Sequence, residues 1–354
     1  LICFAVKSNA NLKILNEIRK SKLGADVVSI GELMKALKVG IRPNKIVFSG
    51  VGKTISEIEY AINKKILLIN TESKSEILTI EKIAKLKKKV VDIGIRLNPN
   101  INANTLSQIS TGKKENKFGV NEKIFLNLIK YVKNSRYLNL KCLSVHIGSQ
   151  ILSYKPYEKM LRVLDRIISK SNYNFEYIDL GGGIGIDYTH NNKKLDLQKY
   201  SKVIQKFLKK KDSKIIFEPG RSIIGNTAIL ITKIIYIKKG YKKDFVILDA
   251  AMNDLMRPAL YNAEHKIVAT KKKKNISKKT YEFVGPICES TDKFATIKRF
   301  QKLEEKDLLA ICDVGAYGTS LASNYNVRPK PVEILVRNTK IQVINKRQKI
   351  SDLM

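Results

Sequence analysis

The sequence predicts a (β/α)8 barrel followed by a mostly antiparallel β domain, built as a sandwich or a second barrel. In the first part of the chain, eight short apolar runs alternate with amphipathic helical stretches, which is the pattern of a parallel barrel. After Arg221, strand-like runs follow one another with few helices between them. We therefore predict two domains, comprising residues 1–224 and residues 225–354.

The barrel strands are predicted from apolar runs that are nearly continuous, as expected for strands buried on both faces. They comprise residues 3–7, 25–29, 45–49, 66–70, 92–98, 142–147, 175–180 and 214–218. The helices between them comprise residues 11–21, 31–39, 56–63, 73–87, 122–133, 154–171 and 197–210. In the second domain, strands are predicted at residues 227–237, 245–249, 281–284, 308–314, 332–336 and 340–344, with a helical insertion at 251–261.

Composition excludes several classes of protein. The 354 residues include 67 basic and 32 acidic side chains, a net charge of +35. The lysines are spread along the chain without interleaved aromatic residues, so we expect no specific nucleic-acid partner. No apolar run is long enough to span a membrane. The chain opens in a strand without an initiator Met, so we expect an N-terminal piece to precede it.

Cysteine and histidine usage indicates the compartment and argues against a metal site. The four cysteines are far apart and form no CxxC pair, and the three histidines form no HExxH motif. Neither a disulfide framework nor a zinc site is therefore expected, and a reducing cytoplasm fits this usage. We predict no metal.

Unusual residues fall at the carboxyl ends of the predicted barrel strands, where barrels of this kind carry their active sites. They are Lys7, Arg96, His146, the glycine-rich run 179–185 and the run 218–221. Each has an ordinary explanation: a surface lysine, a core histidine, a tight turn. Because they converge on one rim, a shared site is the better interpretation.

The chemistry of this set fits a cofactor that carries a phosphate, a flat ring and an aldehyde, and that cofactor is pyridoxal 5'-phosphate. A lysine at the end of a buried strand loses proton affinity, and a neutral Lys7 amine can form a Schiff base. His146 can stack on the ring, and Glu218 can keep a ring nitrogen protonated. Glycine N–H groups can bind a phosphate. The remaining predicted cofactor-binding residues are Arg96, Ser149, Gly181, Gly182, Gly183, Gly220 and Arg221.

The order of these motifs along the whole chain resembles the fold-type III pyridoxal-phosphate decarboxylases, whose barrel is similar to that of alanine racemase. The motifs include FAVKSNAN, GADVVSIGEL, HIGSQ, DLGGGIGI, EPGRSI, MNDLMRPALYNAEH and DVGAYG. Within that family the chain is most similar to the diaminopimelate decarboxylases. The resemblance implies decarboxylation of meso-2,6-diaminopimelate, an amino-acid substrate, to L-lysine and CO2.

The resemblance also implies roles for residues of the second domain. Cys288 would protonate the substrate carbon after CO2 leaves, in the site of the neighbouring subunit, so a homodimer with shared active sites is implied. The sequence reads CESTD where the family usually has CESGD, so Thr291 replaces a glycine near Cys288. Cys288 could also be an inert thiol, the usual fate of a lone cysteine.

Substrate binding is implied for a further set of residues. Arg221, Arg257 and Tyr261 would bind the distal carboxylate, and Glu289 would bind the distal ammonium group. Tyr317 would contact both the cofactor phosphate and the substrate. Arg257 and Tyr261 are four residues apart and could instead be an ordinary surface pair on a helix.

Three alternatives remain open. A related decarboxylase of arginine, ornithine or carboxynorspermidine would not need Arg257, because its substrate has no second carboxylate. An alanine racemase is less favoured, since racemases prefer an arginine at the ring nitrogen where this chain offers Glu218. A basic binding protein that has lost catalysis would not need Lys7, His146, Glu218 and Cys288.

Overall fold

A computed structural model describes residues 1–103, 111–209 and 211–354. Two compact units are present. The first comprises Leu1–Ile186 and Lys193–Ile223, and the second comprises Asp187–Asn192 and Ile224–Met354. No helix among the described residues is long and apolar enough to cross a membrane.

The first unit contains eight parallel strands paired in chain order. They are β1 (Cys3–Ala5), β2 (Gly24–Val27), β3 (Ile46–Phe48), β4 (Leu68–Thr71), β5 (Val91–Arg96), β6 (Leu138–Ser144), β7 (Tyr177–Asp179) and β8 (Lys214–Ile216). A parallel bridge between Ile2 and Phe217 joins the last strand to the first, so the sheet closes. The predicted barrel is confirmed.

Helices separate most of the strands and bury one apolar face each. They are α1 (Leu12–Lys20), α2 (Ile30–Lys38), α3 (Ile55–Lys64), α4 (Lys74–Leu86), α5 (Glu122–Lys133), α6 (Lys155–Ser171), α7 (Leu197–Leu208) and α8 (Arg221–Ile224). Most begin at a side chain that accepts a hydrogen bond from the first turn, for example Ser29, Thr54 and Ser73, which satisfies donors that the helix leaves open. Lys210, at the predicted end of α7, lies outside the described residues.

The prediction that Lys7 ends the first strand is wrong. Strand β1 stops at Ala5, and Val6–Ser8 form a 3-10 turn. The Ser8 hydroxyl donates to the Ala5 carbonyl at 2.7 Å, and the Asn9 N–H donates to the Val6 carbonyl at 3.0 Å. These local hydrogen bonds replace the strand ladder and carry Lys7 out to the rim of the barrel.

The second unit is built on a six-stranded sheet in the order β11-β14-β9-β10-β12-β13. Its strands are β9 (Leu230–Lys238), β10 (Lys243–Leu248), β11 (Ile267–Ala269), β12 (Thr280–Val284), β13 (Lys293–Ile297) and β14 (Leu308–Ile311), and β15 (Glu333–Arg337) and β16 (Lys340–Asn345) form a separate hairpin. Only the β10–β12 pair is parallel within the six-stranded sheet. The predicted, mostly antiparallel β domain is therefore confirmed. Strands β11 and β13 were not predicted.

The predicted helical insertion is shorter than expected. Only α9 (Arg257–Tyr261) is helical, with Pro258 in its first turn. Proline fits there because its missing N–H would have no partner in the helix anyway. Upstream, the Asp254 carboxylate accepts from the Ala251 N–H at 2.9 Å, and this local bond holds a turn in place of the first half of the predicted helix.

Close packing of the barrel strands makes a prediction about Gly24, the first residue of β2. A Cβ at this position would lie 2.1 Å from the Lys45 carbonyl oxygen and 3.0 Å from Cys3 Sγ. We expect Gly24→Ala to lower the free energy of unfolding by about 1–3 kcal/mol, because backbone must move to relieve the clash. Urea unfolding monitored by circular dichroism measures this. Gly52→Ala is the matched control, since a Cβ there meets nothing within 4 Å; equal losses in both variants would contradict the argument.

Candidate active site

The predicted site residues of the first unit lie at the carboxyl ends of the barrel strands. Lys7 follows β1 and Arg96 ends β5, while His146, Gly181 and Glu218 each lie two residues beyond β6, β7 and β8. Because the carboxyl ends of parallel strands share one rim, these side chains belong to one site. Electrostatic coupling of Lys7 with both Glu218 and His146 agrees with that placement.

The Lys7 amine pairs with a carboxylate that the sequence argument missed. Its Nζ lies 3.3 Å from Asp26 Oδ2, and the Lys7 side chain is 42% exposed whereas that of Asp26 is fully buried. Asp26 Oδ1 has no hydrogen-bond partner among the described residues. Lys7 is thus a partly exposed amine that pairs with a buried carboxylate at the rim, and it is not the buried lysine that the sequence predicted.

A pair of carboxyl groups, Glu218 and Asp179, lies beside this amine. Burial, together with the negative charges of Asp179 and Asp26, raises the pKa of Glu218 well above its usual range. Burial also raises the pKa of Asp179, to about 6, although hydrogen bonds from the Gly181 N–H and from Asn70 oppose the rise. The pair therefore shares one proton: Asp179 is ionised and Glu218 carries the proton, donating to Asp179.

The His146 ring is neutral and has a defined tautomer. Burial, followed by the charges of Arg96 and Lys7, lowers the pKa of His146 well below its usual range. The Gly182 N–H donates to His146 Nδ1 at 3.1 Å, so Nδ1 is the acceptor and Nε2 carries the hydrogen. A neutral, fixed, flat ring is suited to stacking on an aromatic cofactor.

The glycine run after β7 forms a turn that tolerates no side chain. Gly181 and Gly183 have φ values of 64° and 95°, a region that favours glycine. A Cβ on Gly182 would lie 2.2 Å from the Glu218 carbonyl oxygen, and one on Gly183 would lie 2.4 Å from the Gly148 carbonyl oxygen. The turn is thereby held tightly against the loops that carry His146 and Glu218.

Arg221 contributes a buried guanidinium group near this turn. Its Nη2 donates to Ser149 Oγ at 3.1 Å, and the residue is 6% exposed. Gly220, just before it, packs against the turn that carries Lys7, because a Cβ there would lie 3.0 Å from the side chains of Ala5 and Ser8. Arg221, Ser149 and the glycine turn offer donors to a phosphate, and the Lys7 amine can bind an aldehyde. The residues at this rim therefore fit pyridoxal phosphate.

Arg96 is engaged in a buried ion pair that the sequence argument also missed. Its Nη1 lies 3.0 Å from Glu72 Oε1, and Glu72 accepts further hydrogen bonds from the N–H groups of Gly50 and Gly119. The guanidinium also lies over the Phe118 ring, 4.9 Å from its centroid. Arg96 therefore acts on the site chiefly through its charge, which helps to keep His146 neutral.

The remaining predicted residues lie in the second unit. Arg257 and Tyr261 are the first and last residues of α9, and Tyr317 adopts a positive φ of 58°. Cys288 and Glu289 lie on the exposed loop between β12 and β13. The described part of the chain holds no group of three or more histidine, cysteine, aspartate or glutamate side chains that could hold a metal ion.

The loop carrying Cys288 and Glu289 is held by neighbouring hydrogen bonds. Asn326 Nδ2 lies 3.8 Å from Cys288 Sγ, and the Tyr325 hydroxyl donates to Glu289. Thr291 Oγ1, in the position where a glycine was expected, donates to Glu289 Oε2 at 3.1 Å. The threonine therefore fixes the Glu289 carboxylate from one side while Tyr325 fixes it from the other.

Comparison with known proteins identifies the family. The profile described as "Pyridoxal-dependent decarboxylase, pyridoxal binding domain" matches residues 1–225. A diaminopimelate decarboxylase from Helicobacter pylori is 45% identical over 359 aligned residues, which cover 100% of this chain and 88% of the relative.

Solved structures agree with this assignment. The crystal structure of the Helicobacter pylori diaminopimelate decarboxylase complexed with L-lysine matches with a TM-score of 0.95 and 45% identity, covering 100% of this chain and 89% of that one. The diaminopimelate decarboxylase from M. jannaschii, also in complex with L-lysine, matches with a TM-score of 0.93 and 36% identity, covering 100% and 83%. The predicted enzyme class and cofactor are confirmed, and the chain belongs to the diaminopimelate decarboxylases, a branch of the pyridoxal-dependent decarboxylase family.

Proposed function

We propose that this protein decarboxylates meso-2,6-diaminopimelate to L-lysine and CO2, the last step of lysine biosynthesis, in the cytoplasm. The observation that carries the proposal is the rim of the barrel, where a partly exposed amine, a protonated carboxyl group and a neutral imidazole lie near a glycine turn. Relatives that match the whole chain bear the name of this enzyme, and free cysteines are consistent with a reducing compartment.

Residues of the first unit would hold the cofactor. Lys7 would bind its aldehyde, His146 would stack on its ring, and Glu218 would contact its ring nitrogen. The phosphate would be bound by Ser149, Gly181, Gly182, Gly183, Gly220, Arg221 and Tyr317. Pyridoxal phosphate, when bound, supplies an electron sink for the carbanion that loss of CO2 generates.

Proton placement at this rim suits that chemistry. Glu218 carries a proton that it can present to a ring nitrogen, because Asp179 behind it remains ionised. Asp26 positions the Lys7 amine and stabilises its ammonium form whenever the amine is not covalently engaged. The neutral His146 presents a ring face without adding a positive charge next to the cofactor.

Residues of the second unit would recognise the far end of the substrate. Arg257 and Arg221 would bind the distal carboxylate with Tyr261, since a guanidinium matches a carboxylate in a bidentate geometry. Glu289, oriented by Tyr325 and Thr291, would bind the distal ammonium group. Recognition of both groups would separate meso-diaminopimelate from ornithine and arginine.

Proton delivery to the product would come from Cys288. Its thiol is exposed and lies on the same loop as Glu289, so one loop would offer an acid and an anion to a neighbouring subunit. We therefore propose a homodimer whose active sites each combine the barrel rim of one protomer with this loop of its partner.

The amine of Lys7 provides the first test of the function. We expect Lys7→Ala to lose turnover of meso-diaminopimelate by about 10³-fold or more, because the covalent attachment point is gone. Lysine production by the purified holoenzyme, measured by chromatography, reports the result. Lys13→Ala, an exposed lysine on α1, is the control. Faster turnover of ornithine or arginine by the unmodified enzyme would refute the proposed substrate.

Sharing of the active sites provides a second test. Lys7→Ala and Cys288→Ala should each be inactive alone, yet mixing the two after subunit exchange should restore about one quarter of the unmodified activity, since half of the dimers would hold one intact site. Activity of the mixture, plotted against mixing ratio, measures this. If the mixture stays as inactive as each variant alone although subunits exchange, the proposal of shared sites is refuted. Cys288 would then act in the active site of its own protomer or take no part in the reaction.

The proton held by Glu218 provides a third test, made on the apoprotein. A raised pKa means that the folded state binds more protons than the unfolded state, so stability decreases as pH rises through the folded pKa. Between pH about 6.5 and 8.5 we expect Glu218→Gln to gain stability relative to the unmodified protein as the pH rises, by up to about 1.4 kcal/mol per pH unit.

Urea unfolding at a series of pH values between about 6.5 and 8.5 measures the difference. The exposed Glu59→Gln variant is the control, because Glu59 lies on the surface of α3. A constant difference between Glu218→Gln and the unmodified protein across this range would show that Glu218 does not hold the proton.

A further inference from the structure

Two side chains of the second unit hold Arg257 in place. Arg257 is 4% exposed, and its Nη1 lies 2.7 Å from His265 Nε2. Its Cζ lies over the Tyr188 ring, 4.3 Å from the centroid. Tyr188 and His265 also contact each other edge to face, with centroids 5.0 Å apart. The Arg257 guanidinium therefore lies over the Tyr188 ring and donates to His265 Nε2.

The protonation state of His265 follows from its two partners. A guanidinium has only donors, so Nε2 must accept from Arg257. The other nitrogen, Nδ1, lies 2.8 Å from the Cys312 carbonyl oxygen, which only accepts, so Nδ1 carries the hydrogen. The neutral imidazole is held by the Cys312 carbonyl group, at the end of β14, through Nδ1. It therefore holds the Arg257 guanidinium in a fixed position through Nε2.

Tyr188 reaches this cluster on the short segment Asp187–Asn192, which belongs to the second unit although both its flanks belong to the first. The segment has its own anchor, since His190 Nε2 lies 2.7 Å from Asp313 Oδ2. Asp313 directly follows Cys312, the residue whose carbonyl group binds His265. One stretch of backbone therefore fixes both the histidine and the segment that bears the tyrosine.

We propose that His265 and Tyr188 are positioning residues that set the plane of the Arg257 guanidinium for the distal carboxylate, and so select ligands that carry that carboxylate. The inference rests on the proposed function, which assigns the carboxylate to Arg257. A carboxylate binds both arms of the fork only when the two groups are coplanar. Since a guanidinium carries five N–H donors, the bond to His265 is compatible with a second acceptor.

The test compares two ligands of the holoenzyme that differ only in this carboxylate. L-lysine carries it, and 1,5-diaminopentane lacks it. We expect His265→Phe to weaken L-lysine binding about 10- to 100-fold, because a charge-assisted hydrogen bond that orients Arg257 is lost. Binding of 1,5-diaminopentane should change less than about twofold. Isothermal titration calorimetry measures both.

Conservative variants separate positioning from general stability. His265→Gln, whose amide oxygen can accept from Arg257, should recover most of the L-lysine affinity. Tyr188→Phe should retain it, whereas Tyr188→Leu should lose it, because the ring face is what contacts the cation. Tyr241→Leu is the control for the loss of a tyrosine ring, since Tyr241 is 98% exposed. In turnover, the effects should appear in KM for meso-diaminopimelate rather than in kcat.

Equal weakening of L-lysine and 1,5-diaminopentane in His265→Phe and Tyr188→Leu would overturn the inference, because it would indicate a structural role. Unchanged L-lysine binding in both variants would overturn it as well. Should His265→Phe fail to fold, the pair Tyr188→Phe and Tyr188→Leu decides the question alone. Failure of the unmodified holoenzyme to release lysine from meso-diaminopimelate would instead contradict the proposed function, which is measured separately.

Discussion

The constraint on which the rest of the site depends is the clustering of three carboxyl groups at the barrel rim. Asp26, Asp179 and Glu218 influence one another electrostatically, and the positive charge of Lys7 acts on Glu218. Three ionised carboxylates at one poorly hydrated place would repel one another strongly. Asp179 keeps its charge because a backbone N–H and the Asn70 amide stabilise it. Glu218 accepts a longer hydrogen bond, 3.4 Å from Ser49 Oγ, and burial beside Asp179 and Asp26 favours its protonated form.

The barrel topology creates this cluster. Strand β7 pairs with β8, the sheet closes from the β8 end onto β1, and β1 pairs with β2, so acidic residues from distant parts of the sequence arrive at neighbouring strand ends. Asp26 lies opposite Ala5 in the register of β1 and β2, and Ala5 directly precedes the turn that bears Lys7. The glycine turn after β7 then lets the backbone pass within contact distance of the Glu218 carbonyl.

Sequence patterns could predict the barrel, because its strands are buried on both faces and therefore read as continuous apolar runs. They could also place Lys7, His146 and Glu218 at one rim. Asp26 was missed because a single carboxylate inside an apolar run says nothing about its partner, which depends on the pairing of β1 with β2. The same limit applies to Glu72, which meets Arg96 across the sheet. The open environment of Lys7 was mispredicted because local hydrogen bonds at Ser8 and Asn9, rather than apolar character, end β1.

The contact between Arg257 and His265 shows a different limit of sequence patterns. The two residues are close in sequence, but their interaction depends on a left-handed Asn262 that ends α9 and on the pairing of β11 with β14, which brings the Cys312 carbonyl to His265. In the first unit, burial and charge determine that Glu218 holds the proton. In the second unit, the tautomer of His265 and the ring of Tyr188 determine the orientation of Arg257. Since these causes involve separate residues, we expect substitutions around Arg257 to change its orientation without moving the proton that Glu218 holds.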